Sequence, residues 1–373
     1  MRRIFFLLLL VAGLASPSWA ADKSKPVTVD QLDQWLTKNG RKADDKVAND
    51  LARMELTERV SSAQLARWQA GLSGTESRAA LDGLAGLSAF QPLPQAGMLP
   101  DAPPDLHTQG AMVSRAIDYV LQTLDRLPDL YATRTTEHFE DTPAYTELEK
   151  EDEGGCGGVG PCATTARYTP YDVPYQPLHR IGQSSVVVSY HDGAEVRGGV
   201  TMDRSLIDQA QSGFTTAGEF GPILSVVLND AMHGAITWGY WEQGAQGKVA
   251  VFLYSVPQSK SNYVVAIKHG ADVEKLVPAY HGEIAIDPAS GAILRISILS
   301  DTTSQDIKAS EIVVQYGPVT LGGIDYICPV ESEALLKSLV KLPHKGLLTE
   351  LSEVTFTGYH LFRADIKILP AQQ

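Results

Sequence analysis

The chain has 373 residues, of which 44 are acidic and 31 basic, and its formal net charge is −13 at pH 7. Polyanions repel such a protein, which argues against binding to nucleic acid or to an anionic membrane surface. A hydrophobic fraction of 44% can form a core and excludes a chain that is disordered throughout, and three cysteines are too few for a disulfide-stapled miniprotein.

The first residues have the three parts of a secretory signal peptide. Two arginines supply the positive start, residues 4–14 form an apolar run, and the small residues Ser18 and Ala20 suit a signal peptidase site. The apolar run is shorter than the about 20 residues that a membrane-spanning helix needs. We therefore predict that residues 1–20 are cleaved off, leaving a soluble periplasmic or secreted protein without a membrane span.

Residues 22–90 have the pattern of several short amphipathic helices. Thr28 with Gln31, and Ser61 with Gln64, have the spacing of a capping box, in which the hydroxyl and the amide satisfy backbone N–H groups at a helix N-terminus. We predict a helical module that buries a shared apolar seam. Its apolar residues recur at helical spacing, at Leu32, Trp35, Leu36, Val47, Leu51, Met54, Leu65, Trp68, Leu72, Leu81, Leu84 and Leu87.

A proline-rich segment over residues 91–110 follows. Five prolines interrupt any helix there and favour extended backbone, so we predict a linker. Beyond it, an apolar stripe from Val113 to Leu127 predicts a helix that stops at Pro128, and the alternation over residues 130–139 predicts a strand.

The stretch at residues 141–175 is acidic, then glycine-rich, and has no periodicity, which predicts a flexible surface insertion. Cys156 and Cys162 lie in it, separated by glycines that let the two sulfurs approach each other. An oxidising compartment favours a disulfide between them, while two free thiols, redox chemistry and metal binding stay open as alternatives. Cys328 lies in an apolar strand, where we predict a buried free thiol.

From residue 184 onward, short β-branched and aromatic runs alternate with turn residues. Short connections favour antiparallel pairing of successive strands as a meander, and one apolar face per strand calls for a cover of helices around Asp118 and Ile223. We predict an α+β domain over residues 111–373, with an antiparallel sheet covered by helices. Its later strands are predicted at residues 235–241, 249–256, 263–268, 283–287, 292–299, 312–319, 324–332, 353–359 and 361–369.

Three local patterns predict turns and a helix start. The pair Asp192-Gly193 after a strand at residues 185–190 is a strong hairpin signal. The segment Asp287-Pro288-Ala289-Ser290-Gly291 favours a tight hairpin over a catalytic aspartate. Thr216 with Glu219 has capping-box spacing and predicts the start of a helix.

The sequence has no HExxH, GxSxG, CxxC or GxxxxGK[ST] motif, and no GxGxxG that follows a predicted strand. The charged run at residues 137–141 is interpreted as a solvated edge rather than a metal site. We predict no catalytic residue, no metal and no cofactor. A hydrolase with dispersed residues stays open, and it requires a Ser, Cys or carboxylate beside a histidine in a cleft, at His191, His233, His281 or His360.

Aromatic residues are concentrated on two neighbouring predicted strands. Period two places Trp238 with Tyr240, and Phe252 with Tyr254, on one face of each strand. Two interpretations stay open, an apolar cavity for an acyl chain and ordinary cross-strand packing. These four residues are the candidate ligand-binding residues.

The segment at residues 280–295, Tyr-His-Gly-Glu-Ile-Ala-Ile-Asp-Pro-Ala-Ser-Gly-Ala-Ile-Leu-Arg, resembles a strand-turn-strand of the periplasmic lipoprotein-carrier superfamily with the LolA-like fold. Residues 316–319 and 356–362 are similar to further hairpins of that layout, so the resemblance covers residues 111–369. It implies an unclosed, strongly curved antiparallel sheet wrapped over helices. It also implies a hydrophobic cavity for a lipid or a lipid-modified partner, and no catalytic residues. The whole mature chain looks like a group of secreted bacterial proteins with helices ahead of such a sheet.

The leading hypothesis is therefore an exported, non-enzymatic binding protein that holds a lipid or a lipidated segment in an apolar cavity of the sheet. A second hypothesis is an envelope interaction or sensing protein that docks a partner through the helical module at residues 22–90. The hydrolase with dispersed catalytic residues is the third.

Overall fold

The computed structural model describes residues 24–142, 145–151, 167–191, 194–197, 218–245, 247–269, 272–302, 304, 306–340 and 346–362. These ranges contain six α-helices and an antiparallel sheet of 11 strands, so the predicted α+β class is confirmed. None of the helices within these ranges is both long and apolar enough to cross a membrane.

The first described elements are β1 (Lys25–Val27), α1 (Val29–Asn39), α2 (Asp44–Leu51), β2 (Met54–Leu56), α3 (Ser62–Gly71) and α4 (Thr75–Ser88). Apolar residues of these elements share one core. The predicted capping box is confirmed, since Gln31 N–H donates to Thr28 Oγ1 at 3.2 Å and Thr28 N–H donates to Gln31 Oε1 at 3.0 Å. Met54 was expected on a helix and instead lies in β2, where its backbone pairs in parallel with β1.

The proline-rich segment contains a short strand, β3 (Met98–Leu99), which pairs with residues 241–242. The next helix is α5 (Leu106–Arg126). It begins well before the predicted apolar stripe because the carboxylate of Asp105 accepts a hydrogen bond from Thr108 N–H at 3.0 Å and so caps the helix.

The remaining elements are β4 (Leu130–Thr142), β5 (Tyr145–Glu151), β6 (Arg167–Val173), β7 (Gln176–His191), β8 (Ala194–Arg197), α6 (Pro222–His233), β9 (Ala235–Gly244), β10 (Gly247–Val256), β11 (Val265–His269), β12 (Asp272–Leu276), β13 (Ala279–Ile286), β14 (Ile293–Asp301), β15 (Ile307–Leu321), β16 (Ile324–Val340) and β17 (Gly346–Leu361).

The main sheet has the strand order β3-β9-β10-β13-β14-β15-β16-β17-β4-β7-β8, and its neighbouring strands are antiparallel. The strands from β9 to β17 form the predicted meander, with the β11–β12 hairpin outside it. The meander is then extended by β4, because β17 pairs with β4 along most of its length. The sheet is not closed, and its edge strands are β3 and β8.

The two faces of the sheet differ in composition. The first face is apolar and packs against α5 and α6, with Ile284, Ile296 and Val314 fully buried between them. The second face is rich in charged side chains, and α4 packs against it at β7 and β17. From the loop before α3, Arg59 also reaches this second face.

The charged run at residues 137–141 is not a solvated edge, so that interpretation is wrong. It belongs to β4, an interior strand between β17 and β7, and Phe139 and Asp141 are buried. The pairing with β17 could not be read from the local charge pattern. Within the predicted insertion, β5 and β6 pair as a two-stranded sheet that the sequence did not indicate.

The predicted helix start at Thr216 and Glu219 is also wrong. The helix α6 begins at Pro222 after Gly221, and Glu219 lies ahead of it with its carboxylate 3.4 Å from the guanidinium of Arg134. Thr216 itself lies outside the described residues. The predicted final strand at residues 361–369 overlaps the end of β17 at Leu361, Phe362 follows β17, and residues 363–369 lie outside the described residues.

Candidate functional site

The four candidate ligand-binding aromatics do not share one face of the sheet. In the pairing of β9 with β10, Trp238 lies opposite Phe252 and Tyr240 lies opposite Val251, so Gly239 is an extra residue in β9. This bulge interrupts the alternation, because it puts Trp238 on the first face and Tyr240 on the second. The expected pairing of Trp238 with Tyr240 is therefore wrong.

Phe252 and Tyr254 are core residues, with 2% and 3% of their surface exposed. The ring of Trp238 packs edge-on against Phe252 at a centroid distance of 5.3 Å. On the second face, Tyr240 donates a hydrogen bond to Glu283 Oε1 at 2.9 Å, and burial together with Glu283 raises the pKa of Tyr240 to about 12. Of the four aromatics, Trp238 alone is partly exposed on the first face, and the contacts of the others are those of ordinary packing.

A small void lies between α5, α6 and the first face, and its volume is about 20 Å³. Its walls include Val120, Phe220 and Tyr316. A void of this size holds about one water molecule, whereas ligand pockets measure about 300–1,000 Å³. Among the described residues, this void between α5, α6 and the first face is therefore too small for an acyl chain.

A larger depression lies where the start of β4, the β15–β16 turn and the end of β17 meet, and we call it the rim pocket. Its volume is about 520 Å³. The turn beside it depends on glycine, because Gly322 and Gly323 have φ values of 61° and 86°. The rim pocket is lined by Tyr131, Thr320, Leu321, Gly322, Tyr359, His360, Leu361 and Phe362.

Phe220 connects the rim pocket to the interior. It lines the small void, and its ring lies 6.1 Å from the ring of Tyr359, which lines the rim pocket. The ring of Phe356 contacts Phe220 from the sheet at 5.4 Å. A layer of aromatic rings thus separates the open rim pocket from the closed apolar interior.

Two histidines stand at the rim pocket. His360 lines it, and its ring lies 5.2 Å from that of Tyr131. His191 Nδ1 lies 2.5 Å from Asp129 Oδ2, and the His191 ring lies 6.2 Å from Phe362. A carboxylate on Nδ1 orients an imidazole for proton transfer through Nε2.

The other two histidines named by the hydrolase hypothesis have different surroundings. His281 Nδ1 lies 3.1 Å from Asp301 Oδ1, and both side chains are about half exposed. His233 Nδ1 lies 2.7 Å from the carbonyl oxygen of Asn229, one turn earlier in α6. These contacts place a carboxylate beside His191 and His281 but not, among the described contacts, beside His233.

Sequence reasoning missed His138, which lies between two hydroxyls. Its Nε2 is 3.2 Å from Ser184 Oγ and its Nδ1 is 3.3 Å from Ser352 Oγ. Burial and the charge of Arg134 lower the pKa of His138, so the ring is neutral and donates to one serine while it accepts from the other. The two serines are 46 and 214 residues away along the chain, so no local motif signals the contact.

The cysteines contribute no nucleophile to the described part of the molecule. Cys328 is free and buried, as predicted, and burial raises its pKa to about 12, so its thiolate is scarce at neutral pH. Cys156 and Cys162, the disulfide candidates, lie outside the described residues. Within those residues, no group of three or more His, Cys, Asp or Glu is arranged to hold a metal ion.

No family model matches this chain, and no curated protein resembles it significantly. The function therefore has to be argued from the pocket and its residues rather than from relatives.

Proposed function

We propose that this chain is an exported, non-enzymatic binding protein that holds an apolar ligand, such as the acyl chain of a lipid or lipidated segment, at the rim pocket. The observation that carries the proposal is a depression of about 520 Å³ with aromatic and aliphatic walls. Burial of apolar surface against such walls contributes about 25 cal/mol per Å². His360 and Tyr131 would contact the polar end of the ligand at the mouth. The signal-peptide pattern of residues 1–20 supports export.

The proposed architecture is a LolA-like curved sheet wrapped over α5 and α6, preceded by a helical module. The open antiparallel strand order and the apolar first face support the curved sheet. The core that residues 27–84 share supports the module. In this arrangement a long acyl chain would pass Phe220 and enter the first-face core, with α5 moving outward to make room.

Palmitate binding tests the proposal. We expect the protein that lacks residues 1–20 to bind palmitate, as measured by native mass spectrometry and tryptophan fluorescence. Phe362→Glu should weaken binding at least tenfold, because a charge replaces an apolar wall of the rim pocket. The protein is expected to keep its circular dichroism spectrum, since Phe362 is 60% exposed.

Leu347→Glu is the matched control. Leu347 is 44% exposed and lies at the opposite end of the same strand, β17, so this variant should bind palmitate like the wild type. A folded wild-type protein that binds no palmitate, or an equal loss in both variants, would exclude the rim pocket as the ligand site. Partner docking through residues 22–90 would then be the hypothesis to pursue.

A second candidate function, ester hydrolysis, is favoured by one observation, the contact of His191 with Asp129 beside the apolar rim pocket. In this reaction His191 would take a proton from water as the water attacks the ester carbonyl, and would pass that proton to the departing alcohol oxygen as the ester C–O bond breaks. Asp129 would orient the imidazole. General-base catalysis contributes about 10²–10⁴ in rate, so His191→Gln should remove any activity toward p-nitrophenyl butyrate. His281→Gln, at the exposed pair with Asp301, is the control and should leave the activity unchanged. A wild-type protein with no esterase activity rejects this candidate and leaves the binding proposal intact.

A further inference from the structure

The second face of the sheet carries three glutamates in register beneath the helical region. In the strand pairing, Glu333 of β16 lies directly opposite Glu353 of β17, and Glu353 lies directly opposite Glu137 of β4. Directly opposed residues of antiparallel strands have Cβ atoms about 4.5–5.5 Å apart, and like charges there destabilise the sheet. Three ionised carboxylates in this row would repel one another strongly.

Helix α4 lies over the middle of this row. Its Gly86 approaches Glu353 so closely that an added Cβ would lie 2.1 Å from Glu353 Oε1. Gly86 is in the last turn of α4, the helix end at which the aligned peptide dipoles leave a partial negative charge. One turn earlier, α4 also carries Asp82, another carboxylate that acts on Glu353. The helix therefore makes the surroundings of Glu353 more negative.

The two arginines that act on Glu333, Arg59 and Arg295, are bound by other glutamates. Arg295 binds Glu242 with two hydrogen bonds of 2.6 and 3.0 Å and lies 3.3 Å from Glu283. Arg59 lies 3.2 Å from Glu283 and 3.6 Å from Glu242. Although burial opposes it, the two arginines lower the pKa of Glu283. The charges of these two arginines and two glutamates cancel, so the group adds no net positive charge next to the glutamate row.

Within the row itself, one carboxylate has a cationic partner in close contact. Arg180 Nε donates to Glu137 Oε2 at 2.8 Å. Glu333 Oε2 is buried and has no hydrogen-bond partner among the described residues. A buried carboxylate oxygen without a partner is costly when ionised, and protonation removes the charge.

The pKa values agree with this geometry. Burial, with Glu331 as the next cause, raises the pKa of Glu333 to about 8, although Arg59 and Arg295 oppose the rise. Burial, followed by the charges of Asp82 and of Glu333, Glu137 and Glu331 in the two neighbouring strands, raises the pKa of Glu353 well above its usual range. Both glutamates therefore hold a proton more tightly than an exposed glutamate does.

We propose that Glu333 and Glu353 form a proton-dependent latch that holds the helical region α1–α4 on the second face of the sheet. With both protons bound, the row carries the charge of Glu137 alone, which Arg180 balances, and α4 stays docked. Loss of the protons places three adjacent carboxylates beneath the negative end of α4. The helix then separates from the sheet and uncovers the second face. This inference goes beyond ligand binding at the rim pocket and does not depend on it.

The sign of the pH dependence follows from the raised pKa values. Release of the helical region, in which α4 contacts Glu353 and Arg59 acts on Glu333, would return the two glutamates to water, where their pKa is about 4.3, so docking takes up protons. Docking is then strongest below about pH 4.5 and weakens as the pH rises through the docked pKa of Glu333, about 8. Across this range, the docking equilibrium constant falls about tenfold per unit of rising pH for each proton that docking takes up.

Hydrogen–deuterium exchange of the whole protein between pH 5 and 8 tests the latch. After correction for the intrinsic exchange rate, protection of the α4 amides should fall by about tenfold or more per pH unit. Amides of β14, in the centre of the sheet, should keep their protection, which distinguishes release of the helix from global unfolding. The double variant Glu333→Gln, Glu353→Gln should show no pH dependence in α4, because the neutral amides mimic the protonated acids.

Glu311→Gln is the matched control. Glu311 is also a glutamate of the sheet whose pKa burial raises, but the charges that act on it are Lys337 and His281 rather than residues of α4. This variant should keep the wild-type slope. If the double variant does not fold, Glu353→Gln alone should make the fall in α4 protection about tenfold smaller per pH unit, which is the contribution of one proton. A flat wild-type profile, or a wild-type slope in the glutamine variants, would overturn the latch.

Discussion

The two faces of the sheet are stabilised in contrasting ways. The first face buries rows of aliphatic side chains such as Ile284 and Ile296 against α5 and α6, an attraction that has no preferred direction. The second face joins charged groups from distant parts of the chain, since Arg59 and Glu283 are 224 residues apart. Ion pairs of this kind depend on exact placement and on complete pairing. The contrast indicates that the first face maintains the fold, while the second decides whether the helical region stays attached.

Phe252→Ala should cause the largest loss of unfolding free energy, because it removes a core side chain from the first face. Phe252 of β10 is buried and packs against the ring of Trp238, and removal of a core phenylalanine ring costs about 3–5 kcal/mol of unfolding free energy. Urea denaturation followed by circular dichroism measures the loss. The neighbouring Leu253 is 41% exposed, so Leu253→Ala should change the unfolding free energy much less. Equal effects of the two variants would contradict the assignment of Phe252 to the core.

Arg295→Ala should be the most damaging single change on the second face. It leaves Glu242 and Glu283 without their central cation, which we expect to cost about 3 kcal/mol because buried charges lose their partner. Arg67→Ala removes an exposed pair with Asp33 and should cost less than about 1 kcal/mol. The same urea experiment compares the two arginines, and similar losses would show that the second-face network adds no more than a surface ion pair.

Gly86→Ala should disturb the contact between α4 and the sheet. The new methyl group would meet Glu353 Oε1 at 2.1 Å, and relief of such a clash costs about 1–3 kcal/mol. Adding Glu353→Ser should recover part of the stability, because the shorter side chain removes the closest contact and leaves only Leu351 Cδ2, at 2.9 Å, to shift. Gly71→Ala in α3 meets nothing within 4 Å and should be neutral or slightly stabilising. Thermal unfolding of the wild type and of the three variants measures these differences. A Gly86→Ala protein that is no more stable after Glu353→Ser is added would contradict the close contact between α4 and Glu353.

Thr28→Ala should have the smallest effect and act within the helical region alone. It removes the side-chain oxygen that accepts Gln31 N–H, a cap worth about 1 kcal/mol. Thr37→Ala in the body of α1 removes a hydroxyl bonded to the carbonyl of Asp33 and should not destabilise, since alanine favours the helix. A larger loss at Thr37 than at Thr28 in urea denaturation would contradict the capping role.

Local features of the fold were predictable from the sequence because neighbouring residues determine them. The capping box at Thr28 is one example. The hairpin at Asp287 is another, since its carboxylate accepts the N–H groups of Ala289 and Ser290 at 3.0 and 3.3 Å, and Gly291 has a φ of 83°. The apolar alternation of the meander strands likewise follows from period two.

The features that were predicted wrongly or missed depend on how distant strands pair. A short stretch of sequence does not contain that information. Because Gly239 is an extra residue in β9, Trp238 and Tyr240 lie on opposite faces of the sheet. The period-two argument assumes a strand without such a bulge. The rim pocket collects residues from β4, the β15–β16 turn and β17, which share no motif. The glutamate row exists only because three strands align Glu333, Glu353 and Glu137, and the sequence shows these residues as ordinary surface charges.

The pairing of β4 with β17 also has a consequence for how the molecule is made. Leu130 lies opposite Leu361, so β4 and the strands beyond it, β7 and β8, cannot join the meander until residue 361 has been synthesised. Contacts between such distant segments slow folding, because the entropy of closing a long loop is lost before the strands pair. A chain of this topology stays unfolded for longer after leaving the ribosome. For the exported protein proposed above, that delay would give an export machinery that threads unfolded polypeptides time to capture the chain.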